Sequence, residues 1–381
     1  QLASALSGSG LPRDRVERVE YARLAARLRE LRADAVVLAA RGPLVRVLAR
    51  DVAALSPRPV IATGLPGISI PATRKAVVYR LQSDLFVVHS RRELLEFGAL
   101  SARTGYAHRY ALATLPFARS GRGGAGGGTD LVFATQAKVP AERSDRLRVA
   151  RMLVRAAEAA PGRRVVVKLR AATGEHQTHV EQDGYPELLA SLGPFPPNLV
   201  TSTAPMGAAL DTAEGLVTVS STAAIEAIAR GVPVIALDTF GVSPRLINET
   251  LADADLLGSE EDVVARRFRH PDPEWLDDNY FHPGHADDWG DRLEELVALR
   301  RDGQLAPRSP FVRRGGGLRD AWERKIALGA NDTSAAGAVA YAIGMPLREV
   351  VRTIQRSRRA RRSVRPASDA ALADPRVSLP S

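Results

Sequence analysis

The chain has 381 residues, 45% hydrophobic and 25% charged, a globular composition with length for two cores of ordinary size. It has no cysteine, which excludes disulfides and thiolate chemistry, and no apolar run approaches the roughly 18–20 residues that span a bilayer. The net charge of +10 is unevenly placed: residues 301–381 hold 16 Lys and Arg against 7 Asp and Glu, and the first 300 hold 37 against 36, so the bulk of the chain does not carry the basic face of a nucleic-acid-binding core.

Taken in chain order, Gln1–Gly10 lacks the charged start and apolar centre of a signal peptide, which together with the missing cysteines fits a cytoplasmic setting. Arg15–Leu31 has helical spacing, Ala35–Ala39 is a compact apolar run, and Leu44–Leu55 is a second helical stretch. Val60–Ala62 runs into Thr63-Gly64-Leu65-Pro66-Gly67, and Leu85–Val88 ends in His89-Ser90 ahead of a helix at Arg91–Phe97. This alternation predicts a first α/β domain over 1–117. Six glycines within Ala118–Thr129 predict a flexible linker over 118–129.

A second alternating series spans 130–300. Strands are expected at Leu131–Ala134, Val165–Leu169, Leu199–Thr201, Leu216–Val219 and Val234–Leu237. Helices are expected at Asp145–Ala160, Pro186–Leu192, Ala223–Arg230 and Pro244–Leu251, and a capping box at Ser259 and Asp262. RHPDPEWLDDNYFHPGHADDWG, with His270, His282 and His285, reads as a surface excursion, with the lining of an acceptor groove as the alternative. From 301 the pattern weakens to short helices at Ala335–Ile343 and Pro346–Ile354, the basic cluster Arg356–Arg365 and a disordered end, giving a basic helical or disordered tail over 301–381.

Gly215–Leu237, GLVTVSSTAAIEAIARGVPVIAL, is the clearest β-α-β unit. A strand ends at Val219, Ser220-Ser221-Thr222 forms the turn, and an Ala-rich helix stops at Gly231. Turns after parallel strands lie at the carboxyl edge, where ligands bind, and the hydroxyls and helix amides there suit a phosphate. Glu226, one turn on, is placed to accept ribose hydroxyls.

SSTAAIEAIARGVPVIAL followed by DTFG resembles the donor-binding region of GT-B glycosyltransferases, most nearly bacterial capsule- and lipooligosaccharide-type transferases, including sialyltransferase-like and related actinobacterial proteins. The resemblance implies two Rossmann-like domains facing across a cleft. It implies that Ser220, Ser221 and Thr222 bind donor phosphate and Glu226 the nucleotide's sugar. FATQAKVP resembles the group's first strand and loop of the second domain, placing Thr135 and Gln136 at the cleft. Lys168-Leu169-Arg170 stands where relatives have Lys-x-His-Pro, so Lys168 or Arg170 is the expected phosphate or carboxylate partner and the nucleotide base is open. His176 and His179 could replace the missing His. The expected reaction moves a sugar from a nucleotide-sugar donor to a cell-surface glycan or glycolipid.

In the first domain, His89 at a strand's carboxyl edge is the leading candidate base, with Asp84 and Glu93 as alternatives. Gly64, Pro66, Gly67 and Arg80 are expected to face the acceptor. No Asp-x-Asp motif stands in a strand-end context, so no cofactor or metal is expected. A sugar-nucleotide epimerase of the same fold is the rival reading. A non-catalytic nucleotide-binding protein is another, with Arg352–Arg365 meeting an anionic membrane or nucleic acid. Without interleaved aromatics the nucleic-acid role is disfavoured. No Gly-x-Gly-x-x-Gly opens a helix after a strand, which disfavours a dehydrogenase.

Overall fold

Two parallel sheets organise the computed structural model, which describes residues 11–119, 127–169, 183–309 and 316–346. It divides into two units, 1–310 and 311–381. In the first unit β1 (Ala35–Leu38), β2 (Val60–Gly64), β3 (Leu85–Val88) and β4 (Tyr110–Leu112) form a sheet in that order. The second sheet contains β5 (Asp130–Ala134), β6 (Val165–Lys168), β7 (Leu199–Ser202), β8 (Ala213–Thr218), β9 (Val234–Leu237) and β10 (Leu257–Gly258). Its order is β10-β9-β8-β5-β6-β7. The expected pair of Rossmann-like α/β domains is therefore what the chain forms.

The second sheet places the site. The chain winds outward through β5, β6 and β7, then returns to lay β8 against the other side of β5. At such a reversal the flanking crossovers leave in opposite directions and open a crevice at the carboxyl edge. Apolar strands buried on both faces make this sheet rigid: β5 and β9 are buried along their whole lengths, packed between two clusters of side chains.

An in-order parallel sheet puts its right-handed crossovers on one face. Ile61 packs there with the helix Gly42–Ala53, and Phe86 and Val88 with the helix Arg91–Thr104. The opposite face, with Val60, Ala62, Leu85 and Ala111, needs cover from elsewhere. The helix Trp289–Arg301 supplies it through Leu293, Leu296 and Val297. The predicted 130–300 domain thus includes a helix whose apolar side chains belong to the first sheet's core.

Other departures are local. The first helix begins at Tyr21, not Arg15. Phe117, expected to end the first domain, and Ala118, expected to open the linker, pack against the second core from the helical turn Pro116–Arg119, and 120–126 lie outside the described residues. Only Glu249–Ala252 is helical in the predicted Pro244–Leu251, where Ile247 takes φ 59. The stretch expected as a surface loop turns four side chains inward: Trp275, Asn279, Tyr280 and His282 are buried, while His270 and His285 are exposed. The capping box forms with both bonds, Asp262 N–H to Ser259 Oγ at 3.1 Å and Ser259 N–H to Asp262 Oδ2 at 2.9 Å.

In the second unit the helix Gly316–Leu328 and a helix over 335–346 stack Trp322 on Tyr341 at 5.8 Å, around the Arg324–Asp332 ion pair at 3.1 Å. Gly344 is required there, since a Cβ would fall 2.3 Å from the Trp322 ring. The cluster Arg352–Arg365 lies outside the described residues. No helix among the described residues is long and apolar enough to cross a membrane.

Candidate active site

The ends of β5 and β8 meet at the reversal point, and one side chain joins them. Gln136 Oε1 accepts the Ser220 N–H at 2.9 Å, and its Nε2 donates to Ser220 Oγ at 3.1 Å. Thr135 donates its hydroxyl to the Lys168 carbonyl at 3.0 Å, joining β5 to β6 in the same way. Arg146, buried and stacked 5.3 Å over the Tyr185 ring, donates to the carbonyls of Pro140, Gln136 and Asp183. It fixes the loop that follows β5. Nothing in the sequence singles out Arg146, because an Arg within a polar helix carries no mark of burial.

Ser221 and Thr222 lead into the helix Ala223–Ala229. The expectation of free helix amides needs correction. The Ala223 N–H donates to Ser221 Oγ at 3.2 Å, and the Ala224 and Ile225 N–H groups to the Ser221 and Thr222 carbonyls. The backbone N–H groups at the head of this helix are therefore already taken up within the chain.

These residues line a cavity of about 590 Å³ that includes Thr135, Gln136, Lys168 and the three hydroxyl residues Ser220, Ser221 and Thr222. Lys138, Met206, Ile247 and, from the first domain, Ile68 complete it; none of the four stood out in the sequence. Among the described residues no carboxylate lines it. Lys168 is 7% exposed and its ammonium reaches only the Leu169 carbonyl, without an ion pair among the described residues. Burial lowers its pKa. A cation so placed gains from an incoming anion.

Arg170, His176 and His179 lie outside the described residues. Glu226 is not brought to the cavity wall. It faces along its own helix to Arg230, 3.6 Å away, and burial raises its pKa against that pairing.

The loop after β2 closes the cavity from the first domain. Gly67 has φ 67, and a Cβ there would lie 2.3 Å from Thr222 Oγ1, so only glycine permits this approach. Gly64, Leu65 and Pro66 line a second cavity of about 860 Å³ within the first domain, together with Arg80 and His89. His89 Nδ1 lies 2.8 Å from the Ala113 carbonyl. A carbonyl only accepts, so Nδ1 is the donor in this contact, and Nε2 is the ring nitrogen that it leaves unengaged.

The other two candidate bases are structural. Asp84 sits at the amino edge of β3, away from the carboxyl-edge loops, and is saturated. It accepts from Arg58 at 2.8 and 3.0 Å, from the Ile61 N–H at 2.8 Å and from Arg308 at 2.8 Å. Burial pushes Asp84 upward, but the Arg58, Ile61 and Arg308 bonds outweigh it and hold the carboxyl below its ordinary value. Glu93 is fully buried, accepting the His89 N–H at 2.8 Å, the Ser69 N–H at 3.1 Å and the Tyr280 hydroxyl at 2.9 Å. Burial raises Glu93, only partly offset by those bonds, and also drives Tyr280 well above 10. Glu93 thus ties the Gly67 loop to the segment that carries Tyr280.

That segment is a staple between the domains. Asp287 Oδ1 accepts from the Thr114 N–H at 2.7 Å and faces His282 Nε2 at 3.0 Å, and Asp288 accepts the Leu112 N–H at 2.7 Å. Among the described residues no group of three or more His, Cys, Asp or Glu could hold a metal ion.

Residues 1–296 match the family described as "Putative glycosyltransferase (DUF6716)". No curated protein matches the sequence. Among solved structures the chain is similar to the pneumococcal O-GlcNAc transferase GtfA in complex with UDP and GlcNAc, at 13% identity and TM-score 0.43, over 89% of this chain and 62% of that one. The chain thus spans about three fifths of that protein's length. It is also similar to the S. aureus MnaA–UDP co-structure, at 12% identity and TM-score 0.43, over 76% and 81%. A third is the UDP-GlcNAc 2-epimerase from Methanocaldococcus jannaschii, at 13% identity and TM-score 0.47, over 73% and 80%.

Proposed function

The chain belongs to the DUF6716 family, and from that premise we propose that it is a glycosyltransferase acting on a nucleotide-sugar donor. The donor's phosphates occupy the cavity at the β5–β8 reversal, and the acceptor lies on the first-domain side of the Gly64–Ile68 loop. The observation that carries this is the cavity's charge: Lys138 and Lys168 beside three hydroxyl residues, with no carboxylate among the described residues that line it. In the transfer, the bond from the sugar's anomeric carbon to phosphate oxygen breaks and the electron pair leaves on phosphate, facing Lys168. The acceptor oxygen forms the new bond, and its proton passes to His89 Nε2. The rival epimerase would need acid–base groups on both faces of the sugar, and His89 is the one His, Asp or Glu among the described residues that line either cavity. The proposed acceptor is a cell-surface glycan or glycolipid, reached at the inner face of the membrane with Arg352–Arg365 as the anionic-surface contact.

Thermal shift with CMP, CDP, UDP and GDP tests this, CMP being included for the sialyl-type resemblance. At about 100 Kd the fitting nucleotide adds about 2.7 kcal/mol of stability. Lys168→Met should match or exceed the unliganded stability of the parent, since it removes a buried charge, yet lose most of the nucleotide's stabilisation. If no nucleotide raises Tm, or Lys168→Met responds like the parent, the donor site is not here.

A further inference from the structure

The first-domain cavity is built for something other than a neutral sugar. Its walls are carbon: Val37, Ala62 and Val87 from the strands, with Trp289 and Leu293 from the covering helix. Val37 is 66% exposed within a strand, and Trp289 is 40% exposed at the first turn of its helix. Apolar surface left to water costs roughly 25 cal/mol per Å², and contiguous patches of it mark binding surfaces.

Three cations share this space: Arg41, Lys75 and Arg80. None has an ion pair among the described residues, and no carboxylate among them lines the cavity. Arg80 is 2% exposed. It donates to two carbonyls, Gly64 at 3.0 Å and Ala76 at 3.2 Å, lies 5.1 Å over the Phe86 ring, and leaves its Nε without a hydrogen-bond partner. Burial lowers it to about 10. A buried cation served only by carbonyls is stabilised by an arriving anion.

We infer that this cavity takes an amphiphilic acceptor, with an apolar chain or ring against Val37 and Trp289 and an anionic group, phosphate or carboxylate, against Arg80 and Lys75. The inference rests on the transferase reading, which makes the cavity an acceptor site. A neutral oligosaccharide would leave the three cations without a counter-charge. His89, on the same wall, then meets the acceptor's hydroxyl end.

Calorimetry on the full chain with octyl phosphate, octyl glucoside and inorganic phosphate, all below micelle-forming concentrations, tests it. Octyl phosphate should bind at least about tenfold more tightly than either other probe, the equivalent of one charge-assisted contact. Trp289→Ala and Lys75→Ala, both altered at exposed side chains, should each weaken it about threefold or more while nucleotide stabilisation in the other cavity is unchanged. These two variants decide the matter if Arg80→Gln does not fold. Octyl glucoside binding as well as octyl phosphate, or no response to either variant, overturns the inference.

Nucleotide binding without octyl phosphate binding removes the amphiphile and leaves the transferase. The converse confirms the ligand class and removes the transferase. Sedimentation with vesicles of phosphatidylcholine and phosphatidylglycerol separates the sources. Pull-down that depends on Trp289 supports a membrane-held acceptor, and octyl phosphate binding without pull-down supports a free one.

Discussion

Asp84 and His89 stand at opposite ends of β3, and their surroundings assign them opposite work. Asp84 neutralises Arg58 and Arg308 inside the protein, so Asp84→Asn leaves two guanidiniums without a counter-charge. That should cost about 3–5 kcal/mol in urea denaturation at neutral pH. The pH dependence has a definite sign. Because the folded carboxyl lies below its ordinary value of 3.8, its stabilisation is complete above that value and is lost as pH falls through the folded one. Parent and variant stabilities should therefore converge in acid. His89→Gln should do the reverse, leaving stability nearly intact and removing about 100- to 10,000-fold of kcat. A folded Asp84→Asn protein with kcat lost at unchanged stability would return Asp84 to the chemistry.

At the scale of elements, the loop from β2 and the turn from β8 form one contact, and Gly67 is the residue that allows it. Gly67→Ala forces a non-glycine residue into φ 67 and drives a Cβ against Thr222, so stability should fall by more than the roughly 1–2 kcal/mol of the backbone term alone. Adding Thr222→Ala should recover the steric part and leave the backbone part. Purely additive effects, within about 0.5 kcal/mol in a double-mutant cycle, would show that the loop and turn do not meet. The sequence carried half of this contact. Gly64 and Gly67 after a strand, and Ser220-Ser221-Thr222 before a helix, are local patterns that announce carboxyl-edge loops. What brings them together is sheet order, which no local pattern encodes. Gln136 and Ser220 are 84 residues apart, and their bond exists because β8 returns to β5. Short elements were also invisible: β4 is three residues and β10 two, too few for a period to show.

For the whole molecule, the two sheets are not independent modules. The chain leaves the first domain, builds the second, and returns to cover the bare face of the first. Glycines mark the break after 117, and the strand–helix pattern weakens from 301. The return is not legible there because Trp289–Arg301 packs inward only through Leu293, Leu296 and Val297, set among six charged residues. Leu296 is 4% exposed beneath β2–β4. Leu296→Ala should cost about 2–5 kcal/mol, and the loss should fall on the first sheet. Hydrogen exchange on the full chain should then show β1–β4 amides opening before those of β5, β8 and β9, whose cores do not touch this helix. Nucleotide stabilisation at the β5–β8 cavity should survive in conditions where the first sheet has begun to open, since Lys168 and the three hydroxyl residues belong to the second sheet's edge. Uniform loss of protection across both sheets would mean that the domains unfold as one cooperative body, with the Glu93–Tyr280 and Asp287–Thr114 bonds coupling them more strongly than the helix does.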